Sequence, residues 1–563
     1  MNVMRLYRTL KHVPMAMVVA RVGYRVRCWL YGSPLYGVRD VWGDEPLALG
    51  PLKMAPVLMD GGDAARGEAL AAGRFAFVGV ELPLGAPLKD WLPAKASALW
   101  VFHLHYHEWL ADLKAAKDVA TARALVGSWL ERFASWHGVA WHPYPLSLRV
   151  VEWLAHRAWL LEGADDDFKM MFDAVLVAQV KHLRRNVEHW LGGNHVIKND
   201  KALLMAGLCL PGHDVLVLEG LSGLLRELDK QVGEDGGHVE ASPSYQAQVL
   251  QDVVEIVQTL RKAGGVPPHL LDVMERMGTA LALMRHGDGT LALFNDGDGG
   301  DVPLVDAVLK RAGVGKVVSG VVADVGCVRL MRGKTIVMMD VGKVGPDANP
   351  GHAHADTLSV EVTWQGERLL GNCGTFAYQH RKRNVWRGTA TKATVQVESE
   401  NSAEVWGGFR VGRRPIDVGF EAKNVDEGDG LVMGWHDGYR HLGLTHTRKV
   451  LLAGDGKALR GEDVVVRMPR PWWRVWPLPV AKKVFVRFPL GVGVSCVLES
   501  DSTALLTTPA GHKVRLQIKG GRLDVKPGMV SPRLGMEVPV PVIVVHARMG
   551  RDDCKVEWML KAV

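Results

Sequence analysis

Cysteine is sparse and scattered in this chain. Six stand among 563 residues (Cys28, Cys209, Cys327, Cys373, Cys496 and Cys554), none near enough to another for a CxxC pair, which excludes a zinc ribbon and a disulfide framework. Long apolar runs are missing too. The run from Val13 to Ala20 falls far short of the ~20 residues that span a bilayer, and charges or prolines break every later stretch, so a transmembrane helix is excluded. Arg5, Arg8 and Lys11 ahead of that run imitate a signal peptide, but Arg21 and Arg25 follow at once and argue against cleavage. The compartment stays open between periplasm and cytoplasm. Neither sign of charge dominates: Lys plus Arg (68) against Asp plus Glu (61) leaves +7. That excess suits an acidic partner without choosing among nucleic acid, anionic lipid and anionic polysaccharide. No nucleic-acid motif accompanies it, so no nucleic-acid partner is expected. Repeats and low-complexity tracts are absent.

What is present is an ordinary globular composition, 48% hydrophobic and 23% charged, which excludes a disordered, collagen-like or wholly membrane-embedded chain. At ~150 residues per domain the length suggests two to four domains. Trp (19) outnumbers Phe (12) and Tyr (9); such rings suit sugar faces and helix packing alike. From Met4 to Tyr31, Arg and Lys punctuate apolar residues as in an amphipathic helix. Such a helix rests on a membrane surface as a peripheral contact or packs on its own domain.

Between about Leu99 and Leu309 the apolar spacing is helical. Leu146, Val150, Trp153 and Leu154 make one stripe and Leu250, Val253, Val254, Val257 and Leu260 another, with breaks at Pro211-Gly212 and from Gly264 to Pro268. After about Val317 the period becomes two. Leu358, Val360, Val362 and Trp364 alternate with Ser359, Glu361 and Thr363, and Gln365-Gly366 turns the chain into Arg368–Leu370, a hairpin. Short β-branched runs at 334–340, 394–397, 484–488 and 539–545 fit a sheet sandwich. The reading is α+β and multidomain: an N-terminal helical or irregular segment (1–98), a helical domain (99–315) and an antiparallel β-sandwich (316–563). The boundary falls in or just after the Gly- and Asp-rich stretch Phe294–Asp301.

Three segments concentrate polar chemistry. In GGNHVIKND, Gly192 and Gly193 turn the backbone ahead of Asn194 and His195, with a helix expected from about Asp200. The pair offers an amide donor for a carboxylate and a titratable imidazole, or it caps the helix. In DGGHVEASPSYQ, Ser242 suits an N-cap and Pro243 the first helical position, placing Tyr245 in the first turn, where the dipole favours a phenolate. A phenol there is a general acid or base, or simply a half-buried tyrosine. His238 and Glu240 upstream are candidate orienting groups or substrate contacts. In PGHAHADTLSVEV, His352, His354 and Asp356 share a face if the strand has begun there, as metal ligands or an acid/base set.

These segments, together with FNDGDGGD, LLGNCGTFAY, SAEVWGGFRVGRR, LWVFHLHYHEWL and WHPYPLSLRVVEWL, resemble the heparinase II/III family of polysaccharide lyases from roughly Trp100 to Arg414. The resemblance implies an incomplete α/α toroid followed by a β-sandwich. It also implies β-elimination on a uronate-containing acidic polysaccharide. Abstracting the uronate C5 proton builds a dianion beside an existing carboxylate, so the site must supply donors. By resemblance Asn194 is that donor, and Tyr245 and His352 are base and acid in an order set by syn or anti geometry, with His195 assisting.

The chain also departs from the family. Zinc-bearing members use the second His of HxHxD, an Asp in the following strand and a His further on; here His354 is kept, but Asn372 and Lys392 hold the other positions. Asn ligates zinc poorly and an ammonium repels it, so no metal and no cofactor are expected, with Lys392 hydrogen-bonded to Asn372 in the ion's stead. Arg383 and Trp386, amid His380, Arg381, Lys382 and Arg387, are candidate glycan contacts, as is Arg149, which could equally pair with Glu152 on its own helix. Two other readings stand beside the lyase: a non-catalytic acidic-glycan-binding protein of exopolysaccharide assembly, and a glycoside hydrolase. The hydrolase needs two carboxylates ~5–10 Å apart, for which Asp235 and Glu240 are the obvious pair.

Overall fold

The structure is a computed structural model that describes residues 3–33, 49–59, 61–469 and 481–563. Residues 34–48 of the expected 1–98 segment therefore lie outside the described residues. By its internal contacts the chain divides into two compact units. A helical unit holds Val13–Gln231 and Val249–Met274; a strand-rich unit holds Met1–His12, Val232–Gln248 and Glu275–Val563. The segments Val232–Gln248 and 275–315, both inside the expected helical domain, thus group with the strands.

Local chemistry sets the helices. The Pro143–Leu161 helix starts where the His142 side chain accepts from Tyr144 N–H and Pro143 fills the first turn, and the stripe Leu146, Val150, Trp153 and Leu154 is buried. Asp165 caps Asp166–Arg185 by accepting from Phe168 N–H. Asn194–Cys209 and Val215–Gln231 pack so closely that glycine is required at the contact. A Cβ at Gly220 would lie 2.5 Å from Leu204 N, and one at Gly207 2.5 Å from Val217 N.

The tryptophans here serve helix packing. Trp91, Trp100, Trp109, Trp129, Trp141 and Trp153 are fully buried. Each indole N–H is also satisfied: to Ser128 Oγ, the carbonyls of Val80, Leu104 and Phe133, and Nδ1 of His105 and His107. A buried indole without an acceptor would forfeit much of its hydrophobic gain.

In the strand-rich unit, Gly320–Val322, Cys327–Arg332, Thr335–Asp340, Val360–Trp364 and Glu367–Leu370 form an antiparallel meander. Its last hairpin is the expected one: Gln365 (φ 51°) and Gly366 (φ 95°) make a two-residue turn with both central residues at positive φ. An eight-stranded sheet runs in the order Val418–Lys423, Gly430–His436, Leu444–Leu452, Ala458–Arg467, Asp553–Ala562, Lys513–Lys519, Thr503–Thr507, Ser495–Ser500. A four-stranded sheet runs Arg522–Val530, Val538–Arg548, Lys483–Pro489, Val395–Val397. One apolar core spans the three sheets, with Val337, Val362, Val450, Val486 and Ile543 all buried in it.

Candidate functional site

In the strand-rich unit the polar residues converge on Asp296. Its carboxylate accepts from His352 Nδ1 (2.8 Å), His354 Nε2 (2.7 Å), Thr375 Oγ1 (3.0 Å) and both terminal nitrogens of Arg383 (2.6 and 2.5 Å). Burial alone would raise its pKa, but the Arg383 guanidinium and the two imidazoles hold Asp296 well below the usual carboxylate range. Asn295, at φ 50°, locks this loop: its N–H donates to Asp356, its amide donates to Ala241 C=O, and its oxygen accepts from His354 N–H.

The proton inventory is fixed from one end. Lys392 Nζ lies 2.7 Å from His354 Nδ1, and an ammonium can only donate, so His354 carries its own hydrogen on Nε2 and gives it to Asp296. Burial, reinforced by Lys392, pushes the His354 pKa well down and keeps the ring neutral. Asp296 then takes the Nδ1 hydrogen of His352. What remains on His352 is Nε2, 3.8 Å from Glu240 Oε2. The ring of Tyr245 lies against His352 with centroids 3.9 Å apart, and the Tyr245 hydroxyl donates to that of Tyr378 at 3.2 Å. Burial first, then Tyr378, Asp296 and Glu240, push the Tyr245 pKa well up.

Several expectations change here. The phenolate expected from the helix dipole is overridden by desolvation and neighbouring acidic groups. Pro243 does open the Pro243–Ala263 helix, yet the Ser242 hydroxyl makes no capping bond and has no partner among the described residues. The HxHxD segment precedes the strand, which begins only at Val360. The two histidines meet through Asp296 rather than through strand alternation.

In the helical unit, Gly192 (φ 70°) and Gly193 (φ 61°) make the expected turn, but the helix starts at Asn194, earlier than Asp200. Asn194 and His195 therefore occupy its first turn. His195 Nδ1 is 3.2 Å from Glu188 Oε1, and its ring lies 4.1 Å from that of Tyr144. Burial works against the Glu188 charge, but His195, His142 and Asn199 still keep its pKa below the ordinary range.

The structure moves most of the expected substrate contacts indoors. Arg149 is fully buried, donating to Gln179 Oε1 and to the carbonyls of His105 and Ala140, and stacked 4.2 Å over Trp129. It does not pair with Glu152. Arg383 is committed to Asp296, and Trp386 is buried against Phe376. His354 and Lys392 are wholly buried. His238 and Glu240 are buried as well, the backbone N–H of His238 donating to Gln246 Oε1 at 2.7 Å. Lys392 binds His354 rather than Asn372, whose amide donates to Ser359 and Glu361 and whose oxygen accepts from Ala393 N–H. Asp235 accepts from the backbone N–H groups of Gly237 and Asp324, a loop brace rather than half of an acid pair with Glu240.

Three participants were missed: Asp296, Tyr378 and Glu188. Asp296 sits in the stretch whose Gly and Asp content reads as a boundary, and the turn-forming run Asn295-Asp296-Gly297 was the available signal.

The family's zinc does not fit these residues. With Nε2 of His354 spent on Asp296, Nδ1 is its one nitrogen for a metal, and the Lys392 ammonium holds it. Among the described residues no group of three His, Cys, Asp or Glu could hold a metal ion.

The N-terminal profile of the family, Heparinase II/III N-terminus, matches residues 89–312, and Heparinase II/III-like, C-terminal, matches residues 318–559. The chain belongs to the heparinase II/III family. Solved structures of similar fold include heparinase III (TM-score 0.70, 14% identity, covering 93% of this chain and 88% of that one). Another is a heparan sulfate lyase HepC mutant from Pedobacter heparinus (TM-score 0.62, 17% identity, 88% and 82% covered). This heparinase II/III chain accordingly has the toroid and β-sandwich architecture. A relative 28% identical over 520 residues, spanning 84% of this chain and 87% of its own, is FtsZ-localized protein C of Caulobacter vibrioides (strain NA1000 / CB15N). Among the described residues no helix is long and apolar enough to cross a membrane.

Proposed function

We propose that this protein is a polysaccharide lyase that cleaves a uronate-containing acidic polysaccharide by β-elimination, in exopolysaccharide or surface-glycan metabolism. The observation that carries the reading is His352, whose Nδ1 is engaged by Asp296 while Nε2 is left beside a protonated Tyr245. In this reading Nε2 of His352 takes the C5 proton. The electron pair forms the C4–C5 double bond, the C4–O bond breaks, and the departing oxygen takes the phenolic proton of Tyr245. By family resemblance Asn194 donates to the uronate carboxylate, with His195 held by Glu188 as its neighbour. The reaction uses no metal, the Lys392 ammonium supplying the fixed positive charge instead.

The test is the ultraviolet absorbance of unsaturated uronate ends during digestion of a panel of acidic polysaccharides, including the host's own exopolysaccharide. Wild type should generate the chromophore, and Tyr245→Phe should lose at least ~10²-fold in rate, the scale of one acid–base contribution. Absence of unsaturated ends across the panel together with tight binding would overturn the lyase in favour of a glycan-binding protein. That second reading is favoured by the lost metal ligands and by a relative named for FtsZ localization.

A further inference from the structure

Exposed large apolar side chains concentrate in the first thirty residues. On the Met15–Tyr31 helix, Met15, Val18, Val19, Val22, Val26 and Trp29 are 41–73% exposed. They recur every three or four residues and fall within one ~100° arc at 3.6 residues per turn. The opposite arc is already occupied. Tyr24 stacks on Trp190 at 3.8 Å, Arg27 Nε donates to Asn186 Oδ1 at 2.9 Å, and the Tyr31 hydroxyl accepts from Asn186 at 3.2 Å. Packing on its own unit therefore uses the other side of the helix and leaves the valine stripe bare.

Charge narrows the occupant. Residues 1–33 carry Arg5, Arg8, Lys11, Arg21, Arg25 and Arg27 and not one Asp or Glu. Arg21 and Arg25 border the stripe, exposed and without an ion pair among the described residues. The short Val3–Leu10 helix, taken by itself, repeats the design: Arg5 and Arg8 donate to Glu404, while Val3, Tyr7 and Leu10 are exposed at i, i+4 and i+7. A second copy meeting this helix stripe to stripe would bring Arg21 and Arg25 against their own copies, on a helix that carries no carboxylate to offset them. A single apolar strip edged by arginines and ended by Trp is the pattern of a helix lying in the headgroup layer of an anionic bilayer.

We propose that the Met15–Tyr31 helix docks this protein on an anionic lipid surface, with Met15, Val18, Val19, Val22, Val26 and Trp29 in the acyl boundary and Arg21 and Arg25 against lipid phosphates. The proposal is independent of the lyase reading.

The full chain is floated with vesicles of phosphatidylethanolamine and phosphatidylglycerol, and in parallel with phosphatidylcholine alone. Wild type should float with the anionic vesicles at least tenfold more than with the neutral ones, and less as salt rises. Val22→Asp with Val26→Asp should lower the bound fraction at least tenfold, and Arg21→Gln with Arg25→Gln several-fold. All four positions are solvent-facing, so unchanged circular dichroism and melting temperature confirm that the variants are folded. Equal flotation with both vesicle types, or flotation indifferent to the stripe, overturns the proposal. So does a concentration-dependent dimer that the Val22→Asp, Val26→Asp change dissolves, which would assign the stripe to a second copy.

Discussion

Lys392 Nζ donates to Nδ1 of His354 at 2.7 Å, deep in the strand-rich unit and with no exposed surface on either side chain. Everything downstream in the proton order follows from that direction of donation. Lys392→Met should leave Nδ1 of His354 as a buried unsatisfied acceptor, at a cost of about 1–3 kcal/mol. Histidine ¹⁵N spectra should then show the His354 proton still on Nε2, where Asp296 accepts it, and the Nδ1 resonance displaced by the loss of its donor. An unmoved Nδ1 resonance would show that Lys392 does not donate there.

Asp296→Asn is expected to be harsher. It leaves the Arg383 guanidinium, 2% exposed, without its carboxylate, and breaking a buried pair from one side costs about 3–5 kcal/mol. Chemical denaturation should record that loss, and any folded fraction should lack lyase activity because His352 loses its anchor.

Arg149→Lys should separate structure from binding. A lysine cannot reproduce the three-way donation to Gln179, His105 and Ala140, so a loss of about 2–4 kcal/mol is expected. Under the proposed lyase reading, KM for polysaccharide should stay unchanged in the folded variant, where a substrate contact would raise it.

Asp200 supplies a pH signature. Burial raises its pKa to about 7, and Oδ2 lacks a partner among the described residues. A carboxyl with a raised folded pKa holds more protons folded than unfolded, so stability falls as pH climbs from its unfolded value near 3.9 toward 7 and stays reduced above. Asp200→Asn should therefore stabilise the protein on the order of 2–4 kcal/mol at pH 8 and by little at pH 4, measured as urea midpoints.

The sequence disclosed elements more readily than their contacts. The Gln365-Gly366 turn and the Leu250 and Leu146 stripes were readable because one face or one dihedral decides each of them. Alternation around Val360 was misleading in a specific way: Glu361 and Ser359 face inward too. Glu361 is consumed by the N–H groups of Leu293 and Asn372, by Arg368 and by His286, a buried polar side that periodicity cannot distinguish from a wet one. Tyr245 and His352 were legible as residue types within motifs. The link of His352 to His354 through Asp296 was not, and neither was the burial of Arg149, Arg383 and Trp386, since charge and aromaticity read as surface chemistry until neighbours from elsewhere in the chain are known.

Asp296 gathers its partners across sequence separations of 56, 58, 79 and 87 residues. No local segment can assemble such a cluster, and the loop-closure entropy of each link must be met before any of them contributes. The cluster therefore exists only where segments far apart in the chain have met. Until they do, Asp296 and Arg383 are two solvated charges, and the fixed proton order that runs from Lys392 through His354 to His352 is absent.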